Sequence, residues 1–335
     1  MSRYRCLLVL CLICLSSSTK AQNPQITLLD SGKHISLRGL SIVNDKVFWC
    51  SGSKGSVGKS TDGGKHITWI NIPGYETRDF RDIEAFDANT AIIMGISEPA
   101  LILKTIDGGL SWKKVFEDST KGMFLDALDF DQKGNGVVIG DPINQKLFRA
   151  YSTNYGATWT IDTNRIDMKE QESFFASSGT NIQYTKQRRS SYVWVSGGSC
   201  SRLFWKDKNY PLALQAAKQS TGANSIAIFK NKAIIVGGDF SKDSRKDSNC
   251  VIVQLHKKPI FSMPQTAPFG YRSCVIAVNK NTFICCGTSG VDVSTDGGKN
   301  WHTISKQSFH VVQKAKKGKA ILLAGSNGKI AQLCL

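Results

Sequence analysis

The sequence predicts an all-β fold, a seven-bladed β-propeller of four-stranded blades, in which an N-terminal strand joins the last blade and closes the ring. Three recurring marks predict it. A polar turn followed by tryptophan appears as STDGGKHITW at 60–69, TIDGGLSW at 105–112, STNYGATW at 152–159 and STDGGKNW at 294–301. An apolar run closing on glycine appears seven times, ending at Gly52, Gly95, Gly140, Gly197, Gly237, Gly287 and Gly325. Just before each run stands a short segment that opens with a polar residue: RGLSIV, RDIEAF, DALDF, ESFFAS, NSIAIF, RSCVIA and HVVQKA in order. The spacing of about 45 residues is the length of one blade. A parallel β-helix has shorter coils, and the period-2, β-branched character of the runs argues against helical repeats.

From the N-terminus, MSRYRCLLVLCLICLSSSTKAQ has a basic start at Arg3 and Arg5, an apolar core from Leu7 to Leu15, and Thr19 and Ala21 ahead of Gln22. This is the pattern of a secretory signal peptide over residues 1–21, with an apolar run too short to span a bilayer comfortably. The expected mature domain is 22–335, exported to a periplasmic or extracellular setting, and no later segment is apolar for long enough to cross a membrane. The formal net charge is +17, and losing the three cationic residues of the leader leaves +14. For an exported chain this favours an acidic glycan, an anionic small molecule, an acidic protein partner or an anionic membrane surface over nucleic acid.

The strand-like QITLL at 25–29 precedes the first full unit, and the last unit stops at KIAQLCL after its third strand. The first is therefore expected to supply the missing outer strand and remove an exposed edge. Within each unit the polar-opened segment is the innermost strand and the glycine-closed run the second, joined by hairpin turns such as ND, DANT and NKN. The third strand leads into the polar turn (GSVGKS, ALILKT, LFRAYS, GVDVS), and the fourth begins at the tryptophan. In the turn, Asp62, Asp107, Asn154 and Asp296 are placed to accept hydrogen bonds from amides of their own turn, while the glycines supply positive φ. Trp112, Trp159 and Trp301 pack back over the hairpin; the fourth and fifth units lack the turn.

Seven cysteines follow the leader: Cys50, Cys200, Cys250, Cys274, Cys285, Cys286 and Cys334. They form no CxxC pair, so a metal site has no support, and an odd number leaves at least one unpaired. Several sit in apolar runs as small buried hydrophobes, and a bridge from Cys274 to Cys285 or Cys286 stays open. No cofactor is expected, because the chain has no dinucleotide fingerprint, no haem-attachment motif and no histidine cluster.

The Asp turns resemble the Asp-box (BNR repeat) shared by sialidases, sortilin-type receptors and propellers of the photosystem II stability and assembly factor type. Across the mature chain the resemblance is to that last group, in particular to its exported bacterial members carrying an oxidoreductase-like label. It implies a seven-bladed propeller and a binding or assembly role. The Asp-box itself implies structure rather than chemistry, and nothing in the residues supports redox activity.

In a propeller the innermost strands line the central channel. Aligning them by their polar openings puts Arg38, Arg81, Asp126, Glu172, Asn224, Arg272 and His310 in one ring near one end. Three converging arginines repel unless carboxylates or an anionic ligand sit among them, and a guanidinium grips a carboxylate or phosphate with two parallel bonds. The same residues also serve, in the plainer reading, to tie neighbouring blades together. Tyr271 adjoins the ring, and Asp141 and Arg202 follow closing glycines into loops on the same face. The leading expectation is a binding or assembly module with an anion-binding central pocket. The alternative is a sialidase-like glycosidase acting on acidic sugars, with Glu172 and Asp126 as its catalytic pair. The opposite face collects lysines and arginines from the inner hairpin turns, among them Lys46, Lys133, Arg188, Arg189, Lys230, Lys280 and Lys317. It is expected to be basic.

Overall fold

The computed structural model describes residues 23–164, 166–185, 191–206 and 208–335; the expected signal peptide and the turn bearing Arg188 and Arg189 lie outside them. The described residues form strands and turns without an α-helix. The first complete sheet runs in order through Leu37–Ile42, Phe48–Gly52, Ser56–Ser60 and Thr68–Asn71, each strand antiparallel to the next. Four other sheets have four strands, and the sixth has nine. The nine-stranded sheet is held together across its middle by a single pair, Gly197 with Gly222. Divided there, it gives two further four-stranded meanders, beginning at Ile182–Thr185 and at Thr221–Phe229, with Glu172–Ser173 as an added short strand. With that division the strands fall into seven groups, numbered here in chain order. The N-terminal strand Gln25–Asp30 pairs antiparallel with Ile330–Cys334 and completes the seventh group, as the sequence predicts.

The burial gradient explains the sequence pattern. The second strands, such as Phe48–Gly52, Ala91–Gly95 and Phe283–Gly287, are buried at every position. They read as continuous apolar runs because both faces are covered by neighbouring sheets. The outermost strands, such as Thr68–Asn71 and Lys113–Asp118, alternate or face solvent. The core is distributed between adjacent sheets. One cluster joins Leu37 of the first group to Val291 of the sixth and Leu323 of the seventh, and another joins Trp49 and Val57 of the first to Phe80 and Ile93 of the second.

The four polar turns share one geometry. Ser60, Thr105, Ser152 and Ser294 each accept the amide of the second glycine or its equivalent, Gly64, Gly109, Gly156 and Gly298, at 2.9–3.0 Å. The Oδ1 atoms of Asp62, Asp107, Asn154 and Asp296 each accept the amide four residues on at 3.0 Å. Asn154 does this with its amide oxygen, which is why asparagine substitutes there. Trp301 is buried and donates to the Gly298 carbonyl at 3.1 Å. Trp112 meets Trp49 edge-on at 6.4 Å, and Trp159 meets Phe130 at 5.8 Å.

Candidate functional site

The channel-facing side chains are set by a repeated irregularity. In the first, second, third and fifth groups the pairing of the innermost strand with the second slips by one residue. The extra residues are Arg38, Arg81, Asp126 and Asn224. A bulge of this kind bends the strand and re-aims the side chain of its unpaired residue. It also presses the preceding backbone onto the closing glycine. A Cβ on Gly52 would lie 2.2 Å from the Ser36 carbonyl oxygen, and one on Gly140 would lie 2.4 Å from that of Phe124. The repeated glycines and the polar openings are thus two halves of one backbone device.

At this end of the channel lies a cavity of about 770 Å³. Arg38, Arg81, Glu172, Asn224, His310 and Tyr271 reach it, as does Asp141. Three predicted members do not. In the sixth group Arg272 stands one residue before the equivalent position, which Ser273 takes. Tyr271 and Ser273 face the cavity, while Arg272 is fully buried inside its own sheet. There its Nε lies 2.6 Å and its Nη2 2.5 Å from Asp292, and its Nη1 donates to the Tyr271 carbonyl and to Ser289, both at 2.8 Å. Arg202 lies behind the wall, paired with Glu172 and stacked on Phe204 at 4.7 Å. Asp126 is fully buried behind Ala176, outside the cavity lining.

The fourth group departs most from the sequence reading. Its innermost strand is Ile182–Thr185, paired with 191–194, and not ESFFAS. The residues from Phe174 to Asn181 instead cross the channel and floor the cavity. The amide of Phe174 donates to Asp141 at 2.9 Å, and the Ser177 carbonyl accepts Arg38 at 3.2 Å. Ser177 Oγ donates to Asn224 at 3.1 Å, and Ser178 Oγ to the Ser273 carbonyl at 2.7 Å. Gly179 packs on the buried carboxyl of Asp82, where a Cβ would come within 2.2 Å. This insertion has a sequence signal. The gap between Gly140 and Gly197 is the longest between successive closing glycines.

The electrostatics are uneven. Burial and the neighbouring Arg81 lower the pKa of Arg38, and among the described residues Arg38 has no ion pair. Arg81 is partly offset by Asp79, its Nε 2.8 Å from Oδ2. Burial, with the two arginines behind it, holds His310 down at about 4; its Nδ1 lies 3.1 Å from the Leu37 carbonyl. Burial raises Asp141 to about 6. Glu172 is held below its ordinary range: burial pushes it up, but hydrogen bonds from Arg202 and Ser196 outweigh that. Asp126 is pushed well up by burial and by Asp141, and neither of its oxygens meets a well-aligned donor. Part of the remaining wall is aromatic, with Phe240 edge-on to Phe175 at 6.0 Å and to Tyr271 at 6.2 Å, and part is polar, with Gln145, Lys169 and Gln171.

The two carboxyls expected as a catalytic pair, Glu172 and Asp126, are poorly placed for acid–base work on a glycosidic bond. A general acid must be held protonated within the cavity. Glu172 is held ionised by Arg202, and Asp126 lies behind the floor. Among the described residues no three His, Cys, Asp or Glu side chains are grouped to hold a metal ion, and no helix is long and apolar enough to cross a membrane. The seven cysteines of the described residues are free thiols, Cys274 directly opposite Cys286 across one strand pair.

No protein-family model matches the sequence, and no curated protein matches it. Solved structures match at the level of fold. A YCF48 bound to D1 peptide superposes with a TM-score of 0.65 at 14% identity, covering 95% of this chain and 99% of that one. YCF48 from Cyanidioschyzon merolae gives 0.61 at 15% identity over 92% of this chain and 98% of that one. A U3-55K structure gives 0.61 at 11% identity with the same coverage. The fold is therefore a β-propeller, shared with these structures.

Proposed function

We propose that this chain is an exported binding or assembly module, seven-bladed, whose central cavity holds an extended segment of a protein partner. The observation that carries the reading is Arg38, desolvated, beside a second arginine and without an ion pair among the described residues. A half-buried guanidinium in that position is stabilised by an incoming carboxylate, from an acidic side chain or a chain terminus. The aromatic wall of Phe175, Phe240 and Tyr271 suits the apolar side chains that flank such an anchor. A peptide is bound to one of the YCF48 structures that share the fold, which favours a protein partner over a glycan or a free small anion. The face opposite the cavity is the module's cationic surface.

The test is a thermal-shift and anisotropy screen of the mature protein. The probes are acidic peptides with free and amidated C-termini, sialic, uronic and sulfated sugars, and phosphate. A ligand at about 100 times its dissociation constant adds roughly 2.7 kcal/mol of stability. Peptide binding lost in Arg38→Ala and Arg81→Ala supports the reading. Sugars that bind where peptides do not would move the assignment to acidic glycans, and silence from every probe would leave the ring as ties between neighbouring sheets.

A further inference from the structure

The end of the molecule opposite the cavity is made of hairpin turns. In each of five groups the turn between third and fourth strands bonds to the turn between first and second: Gly63 to Lys46, Gly108 to Asn89, Tyr155 to Gly134, Leu255 to Asn231 and Gly297 to Asn281. All these turns therefore share one end. Charge is not spread evenly over it. In the first three groups the turns carry Asp45, Asp62, Asp87, Asp107 and Asp131 against Lys46, Lys65 and Lys133. Among the described residues of the fourth- and fifth-group turns the exposed lysines are Lys206, Lys208, Lys230, Lys257 and Lys258. The sixth and seventh add Lys280, Lys299, Lys317 and Lys319, besides Lys316, which is paired with Glu84. Among the described residues the one side-chain carboxylate in the turns of these four groups is that of Asp296.

A second feature lies on the same end. The polar turn of the second group carries two aliphatic side chains with nothing over them, Ile106 at 72% and Leu110 at 89% exposure. The equivalent positions elsewhere are small or polar: Thr61 and Lys65, Thr153 and Ala157, Thr295 and Lys299. Nothing in the turn's own hydrogen bonding calls for leucine at 110.

We infer that this end is a docking surface for a lipid bilayer with anionic headgroups. The lysines of the fourth to seventh groups lie over the headgroups, and the Ile106–Leu110 tip enters the interface. Two properties favour a bilayer over an acidic glycan or protein. Among the described residues these cations are lysines, compact point charges spread over several turns, which act through a summed field. The exposed aliphatic tip has a place in a bilayer interface and none against a sulfated or uronic chain. This surface is separate from the arginine cavity, so each can fail without the other.

The experiment is co-sedimentation of the mature protein with vesicles of phosphatidylcholine alone and of phosphatidylcholine mixed with phosphatidylglycerol. Binding is expected only to the mixed vesicles and is expected to fade with salt, as screening dictates. Replacing Lys257, Lys258, Lys280 and Lys317 with glutamine is expected to weaken it by roughly fivefold per lysine. The same change in charge at the cavity end, Lys54, Lys121, Lys242 and Lys306 to glutamine, is expected to leave it intact, as are Arg38→Ala and Arg81→Ala. Leu110→Ser is expected to weaken binding while keeping its salt dependence. Absence of binding to mixed vesicles at low salt overturns the inference. So does equal weakening by the two lysine sets, which would reduce the effect to net charge, and so does retention on sulfated polysaccharide without retention on vesicles.

Discussion

Arg272 is the residue whose role the tertiary structure changes most, and its substitution separates the two readings. If Arg272 ties its own sheet together, Arg272→Ala acts on stability and leaves cavity binding alone. The side chain and its partner Asp292 are 0% and 1% exposed, joined at 2.6 and 2.5 Å. Asp292 also accepts from the Phe269 amide at 3.1 Å and from Thr303 at 2.6 Å. Removing one partner leaves the other buried and uncompensated, which costs about 3–5 kcal/mol. At a urea slope of about 3 kcal/mol per molar, the midpoint falls by roughly 1–1.7 M. The double variant Arg272→Met, Asp292→Leu recovers part of that loss, because both charges leave together. Recovery is incomplete, since Phe269 and Thr303 then lack their acceptor. Urea titrations of the three proteins, run beside peptide anisotropy, make the measurement. A midpoint for Arg272→Ala unchanged from wild type, together with lost binding, would refute the sheet-internal assignment and return Arg272 to the ring.

Two further outcomes follow from the floor and wall of the cavity. Gly179→Ala places a methyl against the Asp82 carboxyl at a residue with φ of 67°, so a loss of stability above about 1 kcal/mol is expected in the same titration. His310 titrates at about 4 in the folded protein against an ordinary value near 6.5, so the unfolded chain binds the extra proton and stability falls as pH drops from 6.5 toward 4. His310→Gln removes that dependence, and its stability relative to wild type is expected to be better by about 2 kcal/mol at pH 5 than at pH 7.5. Chemical denaturation of both proteins at the two pH values checks the sign. Asp141, raised to about 6, pulls the opposite way in both proteins and cancels in the comparison.

What the sequence determined by itself is what repeats or depends on near neighbours. The polar turns are closed by bonds within five residues, so their geometry was legible at Asp62, Asp107, Asn154 and Asp296. The apolar runs, their closing glycines and the joining of the first strand to the last follow from burial on two faces and from the need to cover an edge. Arg38, Arg81, Asn224 and His310 line one cavity because the repeat carries them to the same depth. The structure decided what the repeat does not encode. A slip of one residue turned Arg272 into the sheet and Ser273 into the channel, since adjacent residues on a strand face opposite ways. The long interval before Gly197 held a channel-crossing segment whose partners come from five other groups, remote in sequence and brought together only by closure of the ring. The pairing of Glu172 with Arg202, which takes that expected carboxyl out of acid–base work, likewise lies outside the repeat, because local sequence sets which side chain is present and only packing sets which charge it meets.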